Sequence, residues 1–81
     1  MHKMEAKRLD VWEEIVGKLI DILPCEGDTM IIVSGRRYIL LDFPSHLLGE
    51  LIKNKGATVG VLKTDRGYAL RVLQNKNVQR I

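Results

Sequence analysis

The sequence predicts a small, mainly β domain, a five-stranded barrel that also carries two helices. Residues 57–73 hold two strand-forming runs around the polar break Asp65-Arg66-Gly67, the pattern of a β-hairpin in which the glycine takes a positive φ. A second hairpin is predicted over residues 29–43, and a short helical pattern lies between the two hairpins, at about residues 45–54. A chain of 81 residues has room for one domain with a modest core.

The N-terminal part predicts a helix followed by the first strand. Apolar residues recur at three- and four-residue spacing within residues 4–16, as expected for one face of a helix; they are Leu9, Trp12, Ile15 and Val16. Residues 17–23 fit either a continuation of this helix or a strand. Gly17 costs about 1 kcal/mol in a helix interior, which favours the strand. The expected organisation is therefore a helical extension at 1–16, a barrel at 17–73 and a flexible tail at 74–81.

Turn and cap residues set the remaining boundaries. Proline and glycine predict a turn at residues 24–28, and Pro44 ends the strand before the second helix. Ser45 is the expected N-cap of that helix, and Gly56 is its expected left-handed C-terminal residue. Within the last hairpin, Gly60 indicates a bulge, a bend or a close backbone approach. Inward-facing positions are predicted for Val59, Val61, Tyr68, Leu70 and Val72.

Charge is spread unevenly along the chain. Residues 1–34 carry four Lys and Arg against seven Asp and Glu, whereas residues 35–81 carry nine against three. The basic half suits an anionic partner, and the asymmetry equally suits a head-to-tail contact between two copies. A solvated surface without a partner is the third interpretation.

No set of residues predicts catalysis, a metal or a cofactor. His46 has only Asp42 nearby in sequence as an orienting carboxylate, and Cys25 lies beside Glu26, which disfavours a thiolate. His46, Cys25 and Asp28 lack the spacing of metal ligands. We therefore expect a protein that is not an enzyme and has no cofactor. A single cysteine, with no signal peptide or membrane-spanning run, predicts a cytoplasmic protein without membrane contact.

Basic and aromatic residues of the second half are the candidate binding residues. Binders of single-stranded nucleic acid combine a basic groove with aromatic side chains on which bases stack. Tyr38 and Tyr68 could stack bases, or they could be half-buried strand residues, which we favour slightly. The predicted nucleic-acid-binding residues are Arg36, Arg37, Tyr38, Lys63, Arg66 and Arg71.

The predicted order of elements resembles the OB-fold. OB-folds are five-stranded barrels with a helix between the third and fourth strands, and the resemblance covers about residues 16–73. An SH3-like barrel or an α+β sheet would give a similar pattern. The resemblance implies a nucleic-acid surface on the second and third strands, at Arg37, Tyr38 and Leu40, and on the loops at 24–28 and 64–67. Glu26 and Asp28 in the first of these loops would repel phosphates.

Two functions follow as expectations. The first is weak, non-catalytic binding of nucleic acid through the basic residues of the two hairpins. The alternative is a protein-interaction or self-association module that uses the apolar stripe of the N-terminal helix, Leu9, Trp12 and Val16. No small-molecule substrate is evident in the sequence.

Overall fold

The computed structural model describes residues 6–74, which form six strands and one helix. The strands are β1 (Lys7–Arg8), β2 (Glu14–Cys25), β3 (Asp28–Val33), β4 (Arg36–Leu40), β5 (Thr58–Thr64) and β6 (Gly67–Gln74), and the helix is α1 (Ser45–Lys53). The tail predicted at residues 74–81 lies outside the described residues, except for Gln74.

All six strands belong to one sheet in the order β1-β4-β3-β2-β5-β6. β1 pairs with β4 in parallel, and every other pair is antiparallel. The long strand β2 has two partners, because its first half pairs with β5 and its second half pairs with β3. The sheet does not close into a barrel. The prediction of a closed five-stranded barrel, OB-like or SH3-like, is therefore wrong, while a mainly β domain is confirmed.

The helix predicted at residues 4–16 is absent from the part of that segment that the structure describes. The chain forms β1, turns, and enters β2 at Glu14. Trp12 has a φ of 67°, which is incompatible with a right-handed helix, and the Glu13 N–H donates to the Asp10 carbonyl across the turn. Lys63 of β5 then exchanges backbone hydrogen bonds with Trp12 and Glu13. Pairing with a distant strand therefore replaces the local helix.

Residues 17–23 form a strand, as favoured, but a β-bulge changes the side-chain alternation. Leu19 pairs with Val33 and Asp21 pairs with Ile32, so Ile20 is the extra residue of the bulge. Leu19 is fully buried, Ile20 is exposed, and Ile22 packs against the core. A strict alternation would have placed Leu19 and Ile22 on opposite faces.

Both predicted hairpins are confirmed. The turn Ser34-Gly35, between β3 and β4, has positive φ at both central residues, which is the pattern of a type I′ turn. The turn Glu26-Gly27, which joins β2 to β3, has the same pattern and lies where a turn was predicted. Type I′ turns match the twist of the strands that they join. Gly67 takes a φ of 148°, as expected for the glycine of the last hairpin.

Helix α1 lies where the sequence predicted the second helix. Its N-cap is Pro44 and no side chain caps it, so the assignment of this role to Ser45 is wrong, since Ser45 is the first helical residue. Gly56 has a φ of 94°, which confirms its predicted conformation. Leu51 is the buried residue of the helix, whereas its neighbour Ile52 is exposed.

The core lies between the curved sheet and α1. It contains ten buried apolar residues, drawn from the chain around β1, from strands β2 to β5 and from α1: Leu9, Ile15, Leu19, Ile31, Val33, Leu40, Leu51, Ala57, Val59 and Val61. Tyr68 ties β6 to the far side of the sheet, because its hydroxyl donates to the Leu41 carbonyl at 2.7 Å. Within residues 6–74, no helix is long and apolar enough to span a membrane.

Candidate nucleic-acid interface

A group of basic side chains lies at the edge of the sheet where β1 pairs with β4. Lys7 is aligned with Tyr38, and the two strands enclose a surface pocket of about 430 Å³. We call this surface the basic edge and define it by four of the residues that line the pocket: Lys7, Arg36, Arg37 and Tyr38. The pocket therefore brings together three cations and a phenol.

Arg37 has a buried polar atom without a partner. Its Nε is inaccessible to solvent and makes no hydrogen bond among the described residues, whereas Arg36, next to the Ser34-Gly35 turn, is exposed. A buried donor without a partner typically costs about 1–3 kcal/mol. An acceptor entering the pocket is one way to satisfy such a group.

Lys7 is held by an acidic residue from the turn that follows β1. Its Nζ lies 2.7 Å from a carboxylate oxygen of Glu13. The pKa of the Glu13 carboxyl is lowered, first by the Asp10 backbone N–H that it accepts at 2.9 Å and then by Lys7. The hydrogen bond to Glu13 raises the pKa of Lys7. The ion pair keeps Lys7 at the basic edge, and part of its charge is already matched.

Lys63 and Tyr68 form a second group, and neither residue lines the pocket between β1 and β4. The Lys63 ammonium lies 4.6 Å from the centre of the Tyr68 ring, and the Phe43 ring packs against the same tyrosine in an edge-on arrangement at 4.9 Å. Tyr38 and Tyr68 are both half-buried and pack against the core. The structure thus favours the interpretation of both tyrosines as strand residues in the core periphery.

Arg66 and Arg71 lie away from the basic edge in the order of strands. Arg66 is exposed in the turn between β5 and β6, at the opposite edge of the sheet. Arg71 pairs with Glu14 at 2.8 Å on the outer surface of the sheet, and the two side chains meet above Gly60 of the intervening strand. Gly60 therefore lies beneath a contact between two side chains, whereas the prediction was a bulge, a bend or a close backbone approach.

The apolar stripe predicted at Leu9, Trp12 and Val16 does not exist as one surface. Leu9 is buried in the core, whereas Trp12 is 64% exposed and Val16 is 53% exposed. Helical spacing had placed the three on one face, but the chain is not helical here. Residues 6–16 form no helix, so the predicted stripe is not the face of a helix in the described part of the chain.

Cys25 and Asp28, two of the residues weighed for metal binding, are paired across the β2–β3 hairpin, whereas His46 lies on α1. His46 is exposed in the first turn of α1, and Cys25 ends β2. The Asp42 N–H donates to the Asp28 carboxylate at 3.2 Å, which ties the end of β4 to the start of β3. Residues 6–74 contain no group of three or more His, Cys, Asp or Glu that could hold a metal ion.

Lys7 is the member of the basic edge that sequence reasoning missed. Its neighbour in the sheet, Tyr38, is 31 positions away in the chain. Parallel pairing of two distant segments leaves no local signal in the sequence.

Compared with known proteins, the chain matches no family model, no curated protein and no solved structure.

Proposed function

We propose that this protein is a non-catalytic binding domain that binds single-stranded nucleic acid weakly through the basic edge. The observation that carries the proposal is the pocket between β1 and β4, which is lined by Lys7, Arg36 and Arg37. The Nε of Arg37 is buried and has no hydrogen-bond partner among residues 6–74. Cytoplasm is the proposed compartment, because the only cysteine, Cys25, is free.

The chemistry of the pocket suits phosphate. A guanidinium presents several N–H donors in a fixed plane, and it pairs with two phosphate oxygens at once. Arg37 is half-buried, so less side-chain freedom is lost when it binds than for a fully exposed arginine. Arg36 is exposed next to it and can contact a neighbouring phosphate. Contacts of this kind attract and position nucleic acid without reading its sequence.

The order of elements gives a second line of support. After β1, the chain runs through three strands, a helix and two strands, which is the order in OB-folds. Many OB-folds bind nucleic acid on the second and third strands, which correspond here to β3 and β4, and β4 carries Arg36 and Arg37. The turn at Glu26-Gly27 departs from this pattern, because its acidic surroundings repel phosphates. The binding surface is therefore proposed on the β1–β4 side.

A fluorescence anisotropy titration with a labelled single-stranded oligonucleotide tests the proposal. With three phosphate contacts, the logarithm of the association constant should fall with the logarithm of salt concentration with a slope of about −2, since each contact contributes about −0.7. Arg36→Gln should weaken binding and reduce this slope by about 0.7. Arg66→Gln is the matched control, because it removes the same charge from an exposed turn at the other edge of the sheet.

Equal effects of the two substitutions would show that net charge, and not the basic edge, governs binding. Absence of binding at low salt would overturn the proposed function itself.

A further inference from the structure

Strand β6 is the second edge of the sheet, and its outer side has no backbone partner among residues 6–74. The backbone N–H and carbonyl groups of β6 that point to this outer side can be identified from the hydrogen bonds of β5. The Lys63 N–H and carbonyl both bond to the β2 side, so those of Leu62 and Gly60 point towards β6. Leu62 pairs with Ala69 and Gly60 pairs with Arg71.

Alternation then assigns the other residues of β6 to the open edge. Because Ala69 and Arg71 bond to β5, the N–H and carbonyl groups of Tyr68, Leu70 and Val72 point outwards. Three residues with outward-facing donors and acceptors form a template for a further strand. Val72 is also 43% exposed, although its side chain is on the row that faces the core.

We propose that β6 pairs with β6 of a second copy of this chain, antiparallel and with the two-fold axis at Leu70. In this register Leu70 lies opposite the partner's Leu70, and Tyr68 lies opposite the partner's Val72. All the hydrogen bonds of the pairing then come from residues that already point to the open edge. The contact is isologous and closes at two copies.

The side chains of β6 favour a second copy over an unrelated strand. In this register, the side chains on each face of β6 lie opposite compatible side chains of the partner's β6. On the face towards the core, apolar side chains meet, and aromatic–β-branched pairs stabilise antiparallel strands. On the outer row, Arg71 lies opposite the partner's Ala69, so two like charges do not face each other. The Arg71 charge is also matched within its own chain by Glu14.

Sedimentation equilibrium of the full chain at about 100 µM, where weak dimers are populated, tests the pairing. We expect the wild type to be a dimer. Val72→Pro should be a monomer, because proline removes the N–H that points to the open edge. The hydrogen bonds between β6 and β5 are unaffected, since the Val72 N–H makes none of them. Val72→Thr keeps both the N–H and the β-branched shape, so it should remain a dimer.

A disulfide test covers the case in which Val72→Pro does not fold. In a Cys25→Ser background, the variant Ala69→Cys/Arg71→Cys places two cysteines opposite each other across the dimer axis, at a non-hydrogen-bonded pair whose Cα atoms are about 4.5 Å apart. It should oxidise to a covalent dimer, whereas Ala69→Cys alone should not. A monomeric wild type, a folded Val72→Pro dimer, or equal cross-linking of both cysteine variants would overturn the proposal.

Discussion

Arg37 combines a buried, unpartnered Nε with a place in a pocket that also contains Lys7 and Arg36. Folding gains nothing from an unpaired donor, so the arginine is costly to the free protein. In the proposed function, this arginine contributes to the affinity for an anion in the pocket. Stability and affinity should therefore respond in opposite directions when this side chain is replaced.

Arg37→Met should keep the apolar stem and remove the buried donor. We expect the free energy of unfolding, measured by urea denaturation, to stay unchanged or rise by about 1 kcal/mol. Oligonucleotide affinity should fall in the same variant. Arg36→Met is the control, and at an exposed position it should change stability by no more than about 0.5 kcal/mol. A clear loss of stability in Arg37→Met would mean that Nε contributes to folding.

The Lys7–Glu13 pair predicts how the turn after β1 responds to pH. The Glu13 pKa is lower in the folded state than its usual value near 4.5, so the unfolded chain binds the proton more readily. The stabilisation is therefore present above about pH 4.5 and is lost as the pH falls through the lower, folded pKa. The pKa of Lys7 is raised above its usual value of 10.5, so the stabilisation from Lys7 is present below that value and is lost as the pH rises through the folded pKa.

Glu13→Gln should flatten the acid side of the stability profile, measured by urea unfolding between pH 6 and pH 2. Glu50→Gln is the control, because Glu50 is paired to Lys53 on the exposed side of α1 and no described residue of the basic edge contacts it. A Glu13→Gln profile that coincides with that of the wild type would contradict the role of this carboxylate in holding the turn.

At the scale of elements, β2 takes part in two close contacts at glycines, one at its own Gly17 and one at Gly60 of β5. The two contacts differ in how easily the neighbouring atoms can move away. A Cβ at Gly17 would collide with the Ser34 side chain and lie 2.9 Å from Val33, both on the neighbouring hairpin. A Cβ at Gly60, on β5, would lie 3.0 Å from the Glu14 carboxylate, which is the end of a flexible side chain. Only at Gly17 is the neighbouring group part of a turn, Ser34-Gly35, whose backbone conformation is fixed.

Gly17→Ala should therefore destabilise the protein by about 1–3 kcal/mol through overpacking, and Ser34→Gly should restore part of the loss. Gly60→Ala, the control, should break only the exposed Glu14–Arg71 pair and cost less than about 1 kcal/mol. Thermal and urea unfolding give both values. Equal losses in the two alanine variants would contradict this account of the sheet.

Elements with local signals could be predicted from the sequence, and elements made by distant pairing could not. The three β-turns contain glycine at positive φ, and α1 lies between a proline and a left-handed glycine. Ile15 and Leu19 are four residues apart, a spacing that fits a helix face as well as a strand face. Residues 14–18 form a strand because they pair with β5, which lies 40 to 48 positions further along the chain.

The candidate site was predictable only in part for the same reason. Arg36, Arg37 and Tyr38 are adjacent in sequence and remain together in the pocket. The prediction that basic residues of both hairpins form one binding surface depended on closure of the sheet into a barrel. In the open sheet, β4 and β6 lie at different places in the strand order, and Arg71 is paired with an acidic residue of β2.

At the scale of the whole molecule, the two edges of the sheet differ in chemistry. The β1–β4 side carries Arg36 and Arg37, which form no ion pair within residues 6–74, whereas the β6 edge carries apolar residues and Arg71, whose charge is matched by Glu14. Pairing of two copies through β6 would not use β1 or β4, the strands that carry the basic edge. One nucleic-acid strand could then contact two sites, which raises the apparent affinity when the strand is long enough to reach both.

The central claim is that nucleic acid contacts the protein at the basic edge. Backbone amide chemical shifts, followed by NMR during titration with a short single-stranded oligonucleotide, test it residue by residue. The account predicts the largest changes at Lys7, Arg36, Arg37 and Tyr38, with Arg66 and Arg71 nearly unaffected. Changes concentrated at the β5–β6 turn, with the β1–β4 pocket silent, would contradict it.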